Sequence, residues 1–172
     1  MNAQVSAQNY PNKPIHMILP FPAGAPSDIV GRGISQKLTE QLGVNVITDN
    51  RVGAGGNLGI AMVAKSPPDG YTIMTTSPSI ALSPVLYNQL GYDPQKDLTP
   101  IVRLAQIENV MLVHPSVPVR TLREFISLAR REPGRLNYGS GGMGTTNHLA
   151  NELLKTIENI NLVHVPYKGA PL

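Results

Sequence analysis

The stretch "IHMILPFPAGAPSDIVGRGISQKLTEQL" (residues 15–42) determines the architecture of the first part of the chain. It opens with an apolar run of strand length, breaks at two prolines and a glycine, and continues as a helix. Apolar residues recur at every fourth position of that helix, at Val30, Ile34, Leu38 and Leu42. We expect this stripe to pack on a sheet. Ser27 is a candidate N-cap, and Gly43 is placed to end the helix.

The strand, loop and helix plan repeats along the chain. "VNVIT" (44–48) and "YTIMT" (71–75) are apolar runs of strand length, and a short helical pattern lies between them. The order β-α-β-α-β is typical of a parallel sheet with right-handed crossovers. The sequence therefore predicts an α/β fold.

The second part of the chain follows the same plan after an irregular start. We expect two extended segments at 99–106 and 109–114. The run Thr121 to Glu124 has the form of a capping box, with Thr121 as the N-cap of the next helix. Two further strands are predicted, one in "RLNYG" (135–139) and one in "INLVHVP" (160–166).

A loop rich in glycine and hydroxyl residues, "YGSGGMGTTNH" (138–148), precedes the last predicted helix. Its glycines allow close approach to the unpaired N–H groups of a helix start, which favours binding of a carboxylate or a phosphate. The loop "PFPAGAPSD" (20–28) has a similar place in the chain. A tight, well-capped turn without a ligand is the alternative interpretation of both loops.

The loop also contains the spacing Gly139-x-Gly141-x-x-Gly144, which occurs in dinucleotide-binding folds. A dinucleotide site needs an acidic residue at the end of the next strand, and "LVHVPYK" (162–168) has none. No lysine and hydroxyl pair of the P-loop type follows the loop. Both observations count against a nucleotide.

Composition excludes several function classes. Hydrophobic residues make up 41% of the chain and charged residues 15%, which is unlike a disordered protein. The chain has no cysteine, and its four histidines do not have the spacing of a metal site. The arginines near 120–135 are more typical of a solvated helix face than of a nucleic-acid surface. No apolar run is long enough to span a membrane, and residues 1–9 are expected to form a disordered tail.

Catalytic motifs are sparse. No G-x-S-x-G nucleophile elbow is present. His16, His114 and His164 are interpreted as structural, since they fall in or at the end of predicted strands. His148, in the first turn after the glycine loop, is a candidate for orienting the loop or contacting a ligand. We therefore predict no catalytic residues, no metal and no cofactor.

Three motifs in collinear order carry a family resemblance. "YPNKPIHMILPFPAGAPSDIVGRGISQKLTEQLGVNVITDNRVGAGGNLGIAMVAKSPPDGYTI" (10–73) resembles the N-terminal domain of the Bug-type receptors of tripartite tricarboxylate transporters. "PGRLNYGSGGMGTTNHLANELLK" (133–155) and "LVHVPYKGAP" (162–171) resemble second-domain motifs of that family. The chain departs from the family at Ala25, where a second glycine is common.

The resemblance implies a two-lobed periplasmic-binding-protein (Venus-flytrap) architecture with parallel-rich sheets. The first lobe is expected over 10–100 and the second over 101–172, with the second lobe incomplete. In the family, the two loops face each other across a cleft and hold a carboxylate of the ligand. Carried over by motif, the ligand-binding residues are Phe21, Gly24, Ala25, Pro26, Ser27, Asp28, Ser77, Ser79, Ser140, Gly141, Gly142, Gly144, Thr145, Thr146, His148 and Tyr167.

The function implied by the resemblance is that of a periplasmic receptor without catalysis. Its solute would be a di- or tricarboxylate, an amino acid or an aromatic acid, delivered to membrane transporter subunits. We expect neither nucleic-acid binding nor insertion in the membrane, and a recognisable signal peptide is missing from the chain. Two alternatives stay open: an α/β enzyme that uses an anion or a nucleotide, and a fragment that does not bind.

Overall fold

The computed structural model describes residues 10–106 and 108–167, so the predicted tail at 1–9 lies outside the described residues. Five strands and five α-helices alternate over this part of the chain. In order they are β1 (Ile15–Leu19), α1 (Pro26–Leu42), β2 (Val46–Asn50), α2 (Asn57–Ala64), β3 (Thr72–Met74), α3 (Ser83–Leu86), α4 (Leu122–Arg131), β4 (Asn137–Ser140), α5 (Thr146–Glu158) and β5 (Val163–Pro166). Single 3₁₀ turns precede α2 and α3. The predicted α/β class is confirmed.

The first sheet has the strand order β2-β1-β3 and is parallel throughout. Its central strand, β1, is almost wholly apolar, and Ile15, Met17, Ile18 and Leu19 are each at most 2% exposed. A strand buried on both faces is expected in a parallel sheet covered by helices. The carboxyl ends of all three strands consequently lie at one edge of this sheet, where the loops that follow them also begin.

Helix α1 begins earlier and packs differently from the sequence prediction. Its N-cap is Ala25 rather than Ser27, because Pro26 has the fixed φ that suits the first helical position. Its buried line is Asp28, Gly31 and Ser35, whereas Leu42 of the predicted stripe is 39% exposed. Small residues let the helix approach β1 and β3 closely, and the Ser35 hydroxyl lies 3.1 Å from the sulfur of Met17. Gly43 ends the helix in a left-handed conformation, as predicted.

The second sheet pairs β4 with β5 in parallel. A small core of Phe125, Ala129, Ile160 and Leu162 lies between this sheet and α4. The predicted N-cap of α4 is confirmed, since the Thr121 hydroxyl accepts a hydrogen bond from the Glu124 N–H at 3.2 Å. The Glu124 carboxylate accepts from the N–H of Arg120, one residue before the expected partner.

The two extended segments expected at 99–106 and 109–114 do not form strands over the residues that the structure describes. Their apolar side chains face solvent, with Ile101 81% and Leu112 85% exposed. Strand formation needs a neighbouring strand that supplies hydrogen bonds, and none of the described strands lies beside them. Within the same described ranges, no helix has the length and apolarity needed to cross a membrane.

Replacing Gly59 in α2 with alanine is expected to destabilise the fold by about 1–3 kcal/mol, the usual cost of overpacking. A Cβ atom at this position would lie 2.8 Å from the Arg51 carbonyl oxygen and 3.2 Å from the Cα of Pro20. Urea unfolding followed by circular dichroism measures the change.

The matched control is Gly33→Ala in α1, where a Cβ atom meets nothing within 4 Å. Alanine is the better helix former, so this variant should gain about 0.5–1 kcal/mol. Equal effects of the two substitutions would contradict the packing described for α2.

Candidate functional site

The two loops singled out in the sequence both connect the carboxyl end of a parallel strand to a helix. Residues 20–25 lead from β1 to α1, and residues 141–145 lead from β4 to α5. Ligands of open α/β sheets bind at this position, where strand ends and helix amino termini meet. Both predicted loops therefore have the geometry expected of an anion site.

A buried carboxylate organises the first loop. Asp28 is 3% exposed and accepts hydrogen bonds from the Gly24 N–H (3.0 Å), from Arg32 Nε (3.0 Å) and from Asn50 Nδ2 (2.8 Å). The amide of Asn50 also donates to the carbonyl oxygen of Phe21 at 2.9 Å. The carboxylate thus ties the loop, the helix and the end of β2 together, and its oxygens are occupied by the protein itself.

The electrostatic balance at Asp28 favours the ionised form. Burial alone would raise the pKa of this carboxyl, but hydrogen bonds from Arg32, Asn50 and Gly24 outweigh burial and hold the pKa below its usual value of 3.8. A negative side chain that is already saturated is a poor anion ligand. Among the predicted site residues, the geometry of Asp28 suits positioning of the loop rather than contact with a solute.

Ser27 offers the free donors of the first loop. Within the described residues, neither its N–H nor its hydroxyl has a hydrogen-bond partner, and the residue is half-buried. Gly24 has φ +83°, a conformation that favours glycine and directs the chain toward the helix start. Ala25 and Pro26 form the N-cap and first position of α1, and Phe21 is half-buried beside them.

The second loop is held by its own hydroxyl groups. Ser140, 4% exposed at the end of β4, accepts from the Gly142 N–H at 3.1 Å. The Thr145 hydroxyl lies 2.7 Å from the Gly142 carbonyl oxygen. Gly142 and Gly144 have φ of +120° and +79°, so glycine is favoured at both positions. Gly141 is half-buried between them and Ser140.

The start of α5 supplies free donors to this loop. His148 is buried, and its Nδ1 accepts from the Gly144 N–H at 3.2 Å. Over the described part of the chain, the N–H groups of Thr146 and Asn147 have no partner, and neither has the Thr146 hydroxyl. Unpaired amides at a helix start carry partial positive charge and suit an anion.

The remaining predicted residues lie near the loops in different ways. Ser77 and Ser79 follow β3 and hydrogen-bond to each other at 2.6 Å, and Ser77 caps the 3₁₀ turn there. Ser79 is 3% exposed. Tyr167 follows β5, donates its N–H to the Ser140 carbonyl oxygen at 2.9 Å, and is 55% exposed. Its ring covers Gly139.

A loop that the sequence analysis did not assign, Gly53–Gly56, lies between the two predicted loops. A Cβ atom at Gly56 would lie 3.1 Å from the Phe21 ring of the first loop. A Cβ atom at Gly55 would lie 2.9 Å from the Met143 carbonyl oxygen of the second loop. The sequence feature that could have identified this loop is the three glycines of "GAGG" (53–56), because they permit close approach from both sides.

Neither strand-to-helix loop contains a lysine or an arginine. Positive potential at the candidate site must therefore come from backbone N–H groups and from the dipoles of α1 and α5. No group of three or more metal-ligating side chains occurs in the described residues. The arrangement can bind a small anion through neutral donors.

Residues 30–171 match the sequence pattern of the tripartite tricarboxylate transporter family receptor. The chain belongs to this receptor family. Among curated relatives, an uncharacterised protein of the tcbD-tcbE intergenic region of Pseudomonas sp. strain P51 is 38% identical over 161 residues, which are 94% of this chain and 48% of that protein. BugT of Bordetella pertussis is 36% identical, over 98% of this chain and 52% of BugT. The chain thus spans about half the length of these relatives.

Solved receptors share the fold. Rpa4515 of R. palustris with adipate superposes with a TM-score of 0.87 at 38% identity, and MatC of Rhodopseudomonas palustris with bound malate with 0.80 at 30% identity. The periplasmic binding protein BugD has a TM-score of 0.77 at 29% identity. Each comparison covers 93% of this chain and 54–55% of the other. The predicted periplasmic-binding-protein fold and receptor family are confirmed.

The substitution Asp28→Asn should destabilise the receptor by about 2–3 kcal/mol at pH 7, because an amide turns a donor toward groups that donate to the carboxylate. The folded-state pKa is lowered, so the stabilisation is complete above the usual pKa of 3.8 and is lost as the pH falls through the folded value. Urea unfolding at pH 7 and at successively lower pH measures both effects.

Glu40→Gln on the same helix is the control for Asp28→Asn. The Glu40 side chain is 49% exposed in its ion pair with Lys37, so its loss should cost less than about 1 kcal/mol. If the two variants lost stability equally, the Asp28 network would not have the role described.

Proposed function

We propose that this chain forms part of a periplasmic receptor that binds a small dicarboxylate and presents it to a tripartite tricarboxylate transporter. No catalytic step is needed for this role. The proposal extends the family assignment to a solute class, a compartment and a transporter, since the chain spans about half of its relatives.

The observation that carries the proposal is the pair of helix starts with free donors. The Ser27 N–H and hydroxyl open α1, and the Thr146 and Asn147 N–H groups open α5. Both loops pack against Gly53–Gly56, which brings the two sets of donors to one region of the molecule. A carboxylate accepts several hydrogen bonds at once, and it can be held by such amides without a cationic side chain.

The structural neighbours favour dicarboxylates among the anions that these donors suit. Adipate and malate, held by two neighbours, both carry two carboxylates on a short aliphatic chain. One carboxylate would accept from the loop donors, and the remainder of the solute would extend away from them. The family description names a receptor of tripartite tricarboxylate transporters, and delivery of the solute to the membrane subunits is part of the proposal.

Adipate, malate and citrate are expected to stabilise the chain against heat, whereas NAD and ATP are not. Ligand at a hundredfold excess over its dissociation constant should add about 2.7 kcal/mol to the free energy of unfolding. Differential scanning fluorimetry on a sample shown to be monodisperse by light scattering measures the shift, and calorimetric titration gives the affinity.

Stabilisation by a nucleotide and by no carboxylate would support the enzyme alternative. No stabilisation by any probe, or large assemblies in light scattering, would support a fragment that does not bind. Either result contradicts the proposed function for this chain.

Two substitutions test whether the donors of the two loops bind the solute. Ser27→Ala and Thr146→Val should each weaken adipate binding about tenfold, the effect of losing one hydrogen bond to a charged group. Ser127→Ala and Thr156→Val are matched controls, since both are exposed and their hydroxyls bond to carbonyl oxygens of their own helices. Equal affinities for the site and control variants would place the solute elsewhere.

A further inference from the structure

A cluster of polar side chains lies behind the second loop, on the side toward α5 and β5. The histidine cluster, as we name it, consists of Tyr138, Ser140, His148, Glu152, Lys155 and His164. The ring of His164 lies between two others, 4.8 Å from the Tyr138 centroid and 4.3 Å from the His148 centroid. The sequence analysis treated His164 as structural, and the proposed function does not use it.

Both histidines are linked to N–H groups of the second loop, one directly and one through a hydroxyl group. His148 accepts directly from the Gly144 N–H through Nδ1. His164 Nε2 lies 2.6 Å from the Ser140 hydroxyl, which in turn accepts from the Gly142 N–H at 3.1 Å. The two histidines are therefore linked to two glycines of the same turn, Gly144 and Gly142.

The bond to Gly144 restricts the protonation state of His148. An N–H donor requires an unprotonated acceptor, so Nδ1 carries no proton while this bond exists, and the ring is the neutral Nε2–H form. A doubly protonated ring would turn an N–H toward another N–H. Protonation of His148 must therefore release Gly144.

Whether Nε2 of His164 carries a proton decides whether the Ser140 hydroxyl donates or accepts in the hydrogen bond between them. When Nε2 is unprotonated, the hydroxyl donates to it and still accepts from the Gly142 N–H. When Nε2 carries a proton, the hydroxyl accepts from it, and the hydroxyl proton turns to the Gly142 carbonyl oxygen at 3.2 Å. Thr145 also donates to that oxygen or to Asn147, and a carbonyl oxygen can accept two hydrogen bonds, so the turn can keep its path in both states of His164.

The surroundings of His164 favour its neutral form. Burial and the neighbouring His148 lower the pKa of His164, and Lys155 adds to this, while Glu152 acts in the opposite direction. Glu152 itself is kept ionised, since hydrogen bonds from Lys155 and Tyr138 lower its pKa. Two rings 4.3 Å apart cannot both take up a proton without repulsion.

We propose that His148 and His164 are positioning residues for the Gly144 and Gly142 amides of the anion loop, and that protonation of His148, which releases the Gly144 amide, weakens solute binding. The part concerning binding rests on the proposed function, whereas the positioning of the loop does not. A cationic ring would also attract an anion, which opposes the effect. The geometry favours weakening, because the loop donors act only when they converge.

The first test follows the unmodified chain by NMR and needs no ligand. The ring carbon signals of His148 and His164 and the amide signals of Gly142 and Gly144 are recorded between pH 7.5 and 5.0. We expect the two glycine amides to shift along the same titration curve as the rings. Glycine amides that stay constant while the rings titrate would overturn the proposal.

The second test measures adipate affinity by calorimetry over the same pH range. We expect the dissociation constant to rise about tenfold on acidification, the change that loss of one positioned hydrogen bond produces. Constant or increasing affinity at low pH would contradict the proposed effect on binding. If adipate does not bind at pH 7.5, the proposed function fails, and the NMR experiment alone decides the positioning.

Substitutions separate positioning from simple packing. His148→Asn and His164→Gln place a neutral amide near the former ring acceptor, so they should remove the pH dependence of adipate binding. His148→Ala and His164→Ala should weaken binding at every pH. His16→Gln, an exposed histidine on β1, is the control and should keep the profile of the unmodified chain. A pH profile that persists in the Asn and Gln variants would overturn the assignment.

Discussion

The carboxylate of Asp28 is the constraint on which the loop after β1 and the start of α1 depend. Burying a charge is costly unless its oxygens are hydrogen-bonded, and here the donors come from three separate elements of the fold. Gly24 in the loop, Arg32 in α1 and Asn50 at the end of β2 can satisfy it only when the loop has its observed path. The requirement to solvate one buried charge therefore fixes the helix start and leaves the Ser27 N–H free.

The loop after β4 reaches an equivalent arrangement without a buried acid. Ser140 and His148 hold the turn through neutral acceptors, and two glycines with positive φ give it the necessary path. Neutral acceptors make a weaker restraint than a carboxylate. The two loops thus present similar donors, but one is anchored by a charged group and the other by hydroxyl and imidazole groups.

Much of the fold followed from local sequence. Apolar runs gave the strands, and the glycine at position 43 and the threonine at 121 marked helix ends correctly, because caps depend on nearby residues. The buried face of α1 was mispredicted, since its inward side has small and polar residues that are buried through tertiary hydrogen bonds. The extended segments expected at 99–106 and 109–114 do not pair as strands over the described residues, because pairing depends on chain far away in sequence.

The candidate site was predicted only in part for the same reason. The two helix starts have local signatures, so the loops were found from spacing alone. The place of Gly53–Gly56 between them and the link from His164 through Ser140 arise from crossovers that bring distant strands together. Ligand contact by Asp28 was implied by the family resemblance, and its link to Asn50, 22 residues away, has no local sequence pattern. No periodicity in one sequence reveals such pairs.

The use of main-chain N–H groups as the donors has a consequence for mutation. Every residue except proline carries this group, so an ordinary point mutation at Thr146 or Asn147 leaves the N–H in place. Substitutions at these two positions can remove a side-chain contact, but the main-chain donors to an anion remain. The vulnerable positions are the glycines of the turn, where any added carbon atom alters the path of the backbone. We therefore expect mutations to change which solute fits more readily than they abolish the binding of an anion.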